Sequence, residues 1–347
     1  MIQEMRTGGA ERVVVSLARG AGAAGHPVAV ASSPGELLGE MNAKHFQLPV
    51  LDRKPWRIPV ATLHLAQALR VWRPDLVHCH NPGMAVVSSL ATLRGRRPRG
   101  LVSVHGVPEA DWPATARVLR LAGLPIVACG PGIREALDDN GAPAIATISN
   151  GVSPAPPAAN RSELEREWSL PSGCPLLLSV GRLVAAKNHA LAIRALRSIP
   201  DAALVIIGTG TLREDLERAA QRFGVAGRVV FAGLRGDARE LIGAADVVVV
   251  SSHSEGLSMV VLETLAAARP LVATAVRGLR ELLADGRDAL LVPEDDPRAL
   301  AEAVRRVLAN RALAERLGAN GRKLVEPFSE DAMVSGYLAL YSRLEAR

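Results

Sequence analysis

Two carboxylates, Glu255 and Glu263, stand eight positions apart in the stretch 251–270, SSHSEGLSMVVLETLAAARP. At a helical rise that spacing is roughly 12 Å along an axis. They are too far apart to share one proton or one metal, but well placed to hold hydroxyls at two ends of one extended ligand. Between them the sequence expects a helix N-terminus, set by Ser258, where free backbone N–H groups and the helix dipole favour an anion. Hydroxyls at both ends and a diphosphate in the middle describe a nucleotide-sugar. Glu263 carries the greater weight, because a carboxylate in an otherwise apolar helix needs a partner. Glu255 taken alone is equally compatible with a solvated loop residue.

Further groups of the same kind lie elsewhere. Arg182 and Lys187, in SVGRLVAAKNHALAIRAL, follow a strand and precede a helix, and together supply the two positive charges that a diphosphate needs. VIIGTGTLREDL adds a glycine turn, Gly208 and Gly210, which is a fragment of a dinucleotide fingerprint and reads as a tight turn beneath a nucleotide. Near the start, Gly8 and Gly9 feed a helix with Glu11 in its first turn, a geometry that suits a phosphate or an acceptor hydroxyl. His80-Asn81 and His105-Gly106 each end a strand at the sheet edge where ligands bind, and His78 lies one step deeper, as core.

The elements that position these residues alternate between strand and helix, the signature of parallel sheets covered on both faces. The first half offers HPVAVAS, DLVHCH, GLVSVHG, LPIVACG and AIATISN; the second offers PLLLSVGRL, ALVIIGTG, RVVFAGL, DVVVVSS, PLVATAV and ALLVPED. The expected fold is therefore α/β, two doubly wound, Rossmann-like parallel-sheet domains whose strand ends meet at a cleft. Expected boundaries are 1–152 for the first domain, 153–328 for the second and 329–347 for a last helix capped by Ser329, with 150–175 as linker. MIQEM leaves almost no room for a first strand before Gly8, so the first sheet begins either with a stub or inside a longer reading frame. The helix after Ser258 is expected to run to Arg269-Pro270.

With 347 residues the chain fits two domains of ordinary size. Hydrophobic residues make up 48% of it, ample for buried sheets, and no apolar run reaches the ~18 residues of a membrane span. Without a signal-peptide pattern, the expected location is the cytoplasm. Cys79, Cys129 and Cys174 are widely spaced and read as buried hydrophobes in a reducing compartment. Residues 1–152 hold 16 Lys/Arg against 11 Asp/Glu, which is +5 of the net +6. A basic first half can face an anionic lipid surface or an anionic acceptor, although its densest cluster, Arg94, Arg96, Arg97 and Arg99, is equally compatible with a solvated face. Nucleic acid is not expected as a partner: aromatic platforms are lacking, at 3% Phe, Trp and Tyr.

GGAERV, HCHN, VHG, SNGV, SVGRL with Lys187, IIGTGTLRE and EGLSMVVLE, in this order and spacing, resemble the retaining glycosyltransferases of family 4, of GT-B fold. The resemblance runs along nearly the whole chain and is most specific in the second half. It implies an N-terminal acceptor-side domain, a C-terminal nucleotide-sugar donor domain and a last helix crossing back to the first. Glu255 would hold donor-sugar hydroxyls, Glu263 the ribose hydroxyls, and Arg182 and Lys187 the diphosphate leaving group. Backbone amides of Leu257 and Ser258, with Gly8 and Gly9, would complete an anion cradle, and Gly181, Gly208, Gly210 and Gly256 would lie in the same donor-binding loops. His105 would touch the sugar, leaving Glu11, His80 and Asn81 as acceptor-side candidates. The family needs no divalent metal and no cofactor besides its nucleotide-sugar substrate, and Asp138-Asp139 and Asp295-Asp296 read as solvated loop pairs. Expected partners are a UDP-hexose or GDP-mannose donor, a lipid-linked or polysaccharide acceptor, and the inner membrane face as a peripheral contact. Departures from the family pattern are Gly130 for Ser, Ser153 for Asp after SNGV, and Arg277 before Gly278 for a second Gly.

Two other functions fit the same residues: an epimerase on this scaffold, converting donor without acceptor, and a protein that holds nucleotide-sugar without turning it over. Arg182 and Lys187 together with Glu255 and Glu263 fit transfer better.

Overall fold

A computed structural model describes the chain except residues 7, 52, 53, 94–97 and 347. Three residues of the basic cluster, Arg94, Arg96 and Arg97, thus lie outside the described residues, while Arg99 opens a strand. The chain divides into two compact units, Met1–Gly151 with Glu330–Arg347, and Val152–Ser329.

The first unit runs α1 (Gly9–Ala23), β1 (Ala29–Ser32), β2 (Lys44–Gln47), α2 (Ile58–Trp72), β3 (Leu76–Cys79), α3 (Pro82–Ala91), β4 (Arg99–Val104), α4 (Trp112–Ala122), β5 (Ile126–Ala128), α5 (Pro131–Asp139) and β6 (Ala146–Thr147). Every named pairing is parallel: β1 with β2, and β3-β4-β5-β6 in that order. Residues 1–5 join the two sets. Ile2 N donates to Ala31 O and Met5 N to Ser33 O on one side, and His80 N donates to Met1 O on the other. The stub is therefore a central strand in all but length. β2, KHFQ, was not expected as a strand: two of its four residues are exposed, so no run of buried apolar side chains marks it, and it forms because β1 has an edge to pair.

In the second unit the chain passes through α6 (Arg161–Glu167), β7 (Leu176–Val180), α7 (His189–Leu196), β8 (Ala203–Ile207), α8 (Arg213–Arg222), β9 (Val229–Gly233), α9 (Ala238–Ala244), β10 (Val247–Val250), α10 (Met259–Ala266), β11 (Leu271–Thr274), α11 (Arg277–Leu282), β12 (Leu290–Val292), α12 (Pro297–Leu308) and α13 (Arg311–Val325). The six strands pair in the order β12-β11-β10-β7-β8-β9, with every pair parallel. β10 is four valines, each at most 6% exposed. Such a run without alternation is what a strand covered on both faces requires, and each valine buried this way adds about 1.5–3 kcal/mol.

The last helix, α14 (Glu330–Glu345), belongs to the first unit. Met333, Tyr337 and Leu340 pack with Val13 and Leu17 of α1 and with Leu101 and Val127 of the sheet. Two phenols add polar anchors: Tyr341 OH lies 2.7 Å from His78 Nδ1 and Tyr337 OH lies 2.7 Å from Ser103 Oγ, which itself is 2.7 Å from His78 Nε2.

α10 ends sooner than the sequence suggests. Its C-cap is Ala267, and Ala268 adopts φ +51°, so the chain has left the helix before Pro270. Nor are the paired aspartates merely solvated. Asp138 sits in α5 with Arg134 2.9 Å away, Asp296 Oδ1 caps α12 by accepting from the Arg298 and Ala299 amides, and Asp295 accepts from Asn188 Nδ2 at 3.0 Å. Two unpaired donors at a helix start and a left-handed turn at Asn188, φ +44°, give these carboxylates structural work.

Candidate functional site

The second unit gathers its candidate residues at the carboxyl ends of β7, β8 and β10, the edge where parallel sheets hold ligands. Glu255 lies in the loop between β10 and α10 and its side chain is only 6% exposed. Its Oε1 receives Lys187 Nζ at 2.6 Å and Ser252 Oγ at 2.6 Å. A carboxylate this buried needs such donors, so Glu255 is not the free loop residue that its sequence context also allowed. Lys187 is carried there by a short 3-10 turn, Ala185–Lys187, tied to the same loop: Ser251 Oγ donates to the Lys187 and Asn188 carbonyls and His253 N to Ala186 O. Arg182 is exposed and forms no ion pair among the described residues, so its guanidinium is available to an anion.

Glycines set how closely these loops approach. A Cβ at Gly208, φ +140°, would stand 2.0 Å from Gly181 O, and one at Gly210 would stand 2.4 Å from Leu183 O. Both contacts are with backbone that cannot swing aside, so glycine at 208 and 210 lets the turn after β8 lie directly on the loop after β7. A Cβ on Gly278, in α11, would stand 2.3 Å from Glu255 O and 2.7 Å from Gly256 O. Gly278 thus supports the Glu255 loop from below. Its neighbour Arg277 pairs with Glu281 at 3.3 Å, within α11.

Ser258 is the N-cap of α10 with extended φ −70° and ψ 121°, and its side chain makes no capping hydrogen bond. Leu257 and Ser258 are buried, which brings the first backbone amides of α10 close to the Glu255 loop. Four residues into α10, Glu263 is 16% exposed and its Oε1 lies 4.0 Å from Arg239 Nε of α9. Arg239 also donates to the Ser153 and Pro154 carbonyls at 2.7 Å. Glu263 therefore has a cation as its partner within the fold.

His189 was not singled out in the sequence. It starts α7 fully buried, its Nδ1 lies 3.0 Å from Ser179 Oγ, and burial pushes its pKa down to about 4. Its Nε2 is 3.6 Å from where a Gly181 Cβ would be, next to Lys187. Its position directly after Lys187-Asn188 is the signal that could have marked it.

In the first unit, His80 and His105 stack with ring centroids 5.3 Å apart and Nδ1 to Nε2 at 3.0 Å. Burial lowers both pKa values, that of His105 to about 4. They are neutral at pH 7, hydrogen-bonding groups and not cations. Asn81 spends its side-chain oxygen as the N-cap of α3, accepting from Met84 N at 2.8 Å, which leaves only its amide nitrogen for a ligand. Gly8 is the N-cap of α1 in extended conformation, and the Glu11 carboxylate folds back so far that a Cβ on Gly8 would meet Glu11 Oε2 at 2.2 Å. Glu11 thereby places its carboxylate at the start of its own helix, the end where the dipole favours a negative charge. Among the described residues no three His, Cys, Asp or Glu side chains come together as a metal site.

Residues 7–155 match the family described as Glycosyltransferase Family 4, and residues 160–324 match Glycosyl transferases group 1. Across 345 residues the chain is 30% identical to the lipopolysaccharide core biosynthesis glycosyltransferase LpsE of Rhizobium meliloti, covering 96% of each protein. The chain belongs to glycosyltransferase family 4. This glycosyltransferase is also 30% identical over 317 residues to a GDP-mannose-dependent alpha-mannosyltransferase of Mycobacterium tuberculosis, covering 85% of this chain and 80% of that one. Its fold is GT-B: it superposes on Anabaena HepE, solved in complex with UDP-glucose, with a TM-score of 0.82 at 18% identity, over 99% of both chains. Within the glycosyltransferase, Glu255, Lys187, Ser252, Gly181, Gly208, Gly210, Gly256, Leu257 and Ser258 collect around one strand-end region of the second unit, with Glu263 further along α10. His80, Asn81 and His105 lie at strand ends of the first unit, and Gly8, Gly9 and Glu11 at the start of α1.

Proposed function

We propose that this glycosyltransferase moves a hexose, with retention of configuration, from a nucleoside-diphosphate sugar to a lipid-linked or polysaccharide acceptor. The observation that carries the reading is the Lys187–Glu255–Ser252 cluster, a buried carboxylate and an ammonium side by side at the sheet edge. Glu255 grips sugar hydroxyls. Lys187 and the exposed Arg182 neutralise the diphosphate as it leaves, so that the glycosidic bond loosens toward an oxocarbenium-like state and the acceptor attacks the same face. Glu263 takes the ribose hydroxyls, the Leu257 and Ser258 amides meet the phosphates, and neutral His105 hydrogen-bonds the sugar. This chemistry runs without a divalent metal.

The donor is a UDP-hexose or GDP-mannose. A UDP-glucose complex of the structural neighbour HepE favours the first and the mannosyltransferase relative the second. The acceptor class follows the lipopolysaccharide core biosynthesis role of the relative LpsE. Work on such acceptors at the cytoplasmic face of the membrane accords with exposed apolar residues of the first unit, Trp56 in the turn before α2, Leu63 and Val71 on α2 and Leu121 on α4, which are 69–80% exposed and have Lys54, Arg70, Arg73 and Arg120 near them in sequence. No helix among the described residues is long and apolar enough to cross a membrane.

Calorimetry with UDP, GDP and ADP on the protein and on Glu263→Ala tests the donor site. One nucleotide should bind clearly and the substitution should weaken it at least tenfold; no binding to folded protein would refute the site. Turnover of donor without acceptor would favour epimerisation, and donor binding with no transfer to any acceptor would favour a non-catalytic binder. The anomeric configuration of the product, read by NMR, tests retention.

A further inference from the structure

Arg239, on α9, reaches Glu263 with one nitrogen and the first residues of the second unit with another. Its Nε lies 4.0 Å from Glu263 Oε1, and its Nη2 donates to the Ser153 and Pro154 carbonyls at 2.7 Å each. The Arg239 side chain is 31% exposed and that of Glu263 16%, so water screens the pair only in part. Glu263 is the one charged residue of α10, in which Val261, Leu262, Thr264 and Leu265 are buried.

The carbonyls that hold Arg239 are themselves held. The segment leading into α6 lies along α9: Ala159 N donates to Glu240 O at 3.0 Å, Arg161 Nη1 donates to Ala244 O at 3.0 Å, and a Cβ on Gly243 would stand 3.1 Å from Ala158 Cα. Pro154, Pro156 and Pro157 fix φ along it. A guanidinium bound to two such acceptors keeps little freedom, and its planar fork carries that order to Nε. A glutamate free to turn about three side-chain torsions would lose its aim without a fixed charge beside it.

We propose that Arg239 is a positioning residue for nucleotide recognition: anchored on the Ser153 and Pro154 carbonyls, it aims Glu263 at the ribose and so makes the second unit select ribonucleotides over their deoxy forms. The role presupposes that Glu263 takes the ribose hydroxyls. At 4.0 Å the contact is an ion pair longer than a hydrogen bond, so Arg239 fixes the carboxylate without taking up the acceptor positions that two hydroxyls need. A cation hydrogen-bonded to both carboxylate oxygens would compete with the ribose instead.

Calorimetry on the full chain and its variants tests the role, with UDP, GDP and their 2′,3′-dideoxy forms as probes and the tighter-binding base carried forward. The unaltered protein should prefer the ribose form by about tenfold or more, and Glu263→Ala should abolish that preference. Arg239→Met, which keeps an apolar stem and loses the cation, should cut the preference by about fivefold. Arg239→Lys, which restores a cation, should recover most of it. On the Glu263→Ala background Arg239→Met should change the preference no further. If Arg239 only tied Ser153 and Pro154 in place, Arg239→Met would lower the Tm and weaken both forms of the nucleotide alike, with the preference intact. That result, or failure of Lys to recover the preference, overturns the proposal. No preference in the unaltered protein, or one that survives Glu263→Ala, overturns the ribose reading of Glu263 and the role of Arg239 with it.

Discussion

Lys187 Nζ lies 2.6 Å from Glu255 Oε1, and Glu255 has the more buried side chain of the two, 6% exposed against 25%. The asymmetry decides what each truncation does. Lys187→Ala strands a buried carboxylate, and breaking a pair of this kind costs about 3 kcal/mol or more. Glu255→Gln keeps Ser252 as a partner and releases Lys187 toward water, so its cost should stay near 1 kcal/mol. Urea unfolding of both variants checks the order, and both should lose at least a hundredfold in kcat for transfer.

Gly208→Ala and Gly210→Ala should each weaken nucleotide binding at least tenfold. Their Cβ atoms would meet the Gly181 and Leu183 carbonyls at 2.0 and 2.4 Å, and the loops after β7 and β8 must separate to admit them. Gly278→Ala presses instead on the Glu255 and Gly256 carbonyls and should lower activity more than the Tm. Calorimetry and melting on the three variants separate these outcomes.

The first unit should lose stability in mild acid. His105 titrates near 4 in the folded chain against about 6.5 unfolded, with His78 and His80 also depressed by burial. A lowered histidine pKa means that the unfolded chain binds protons which the folded chain refuses. Stability is therefore complete above about pH 6.5 and declines as pH falls toward 4, by on the order of 3 kcal/mol from His105 alone. Unfolding at pH 7.5, 6 and 5 measures the slope, and His105→Gln should make it shallower, with His78 and His80 supplying the remainder.

Tyr341→Phe removes the phenol at His78 Nδ1, and Tyr337→Phe the one at Ser103 Oγ. Each should cost about 1–2 kcal/mol and speed amide exchange in α14, with Tyr341→Phe the larger because it leaves a buried imidazole nitrogen without its partner. Nucleotide affinity, read in the other unit, should not change.

Trp56→Ser with Leu63→Ser should abolish flotation with anionic vesicles while leaving nucleotide affinity intact. Binding of the unaltered protein should weaken as salt rises from 0.05 to about 0.5 M, since screening acts on the lysines and arginines and not on the apolar stripe. Equal flotation of both proteins would remove α2 from the membrane face.

The sequence by itself determined the α/β class, eleven strands and the helix start at Ser258, because buried parallel strands such as VVVV in β10 and LVII in β8 are written as local apolar runs. It also marked Glu255, Glu263, Lys187 and the glycine turns, since residue type and spacing are local too. Tertiary structure decided everything that depends on a partner distant in the chain. Glu255 became a buried hub only through Lys187, 68 positions earlier, and Glu263 found its cation in Arg239. Gly278 acquired its role from the carbonyls of Glu255 and Gly256, His189 from Ser179, and β2 from the free edge of β1. Asn81 was diverted to a helix cap by a donor three residues on, and α10 stopped at Ala267 because Ala268 took up a left-handed turn that its residue type does not announce. Periodicity records how one segment meets an apolar interior, but a hydrogen bond or an ion pair between segments has no local signature, and it exists only once the sheets have brought their strand ends together.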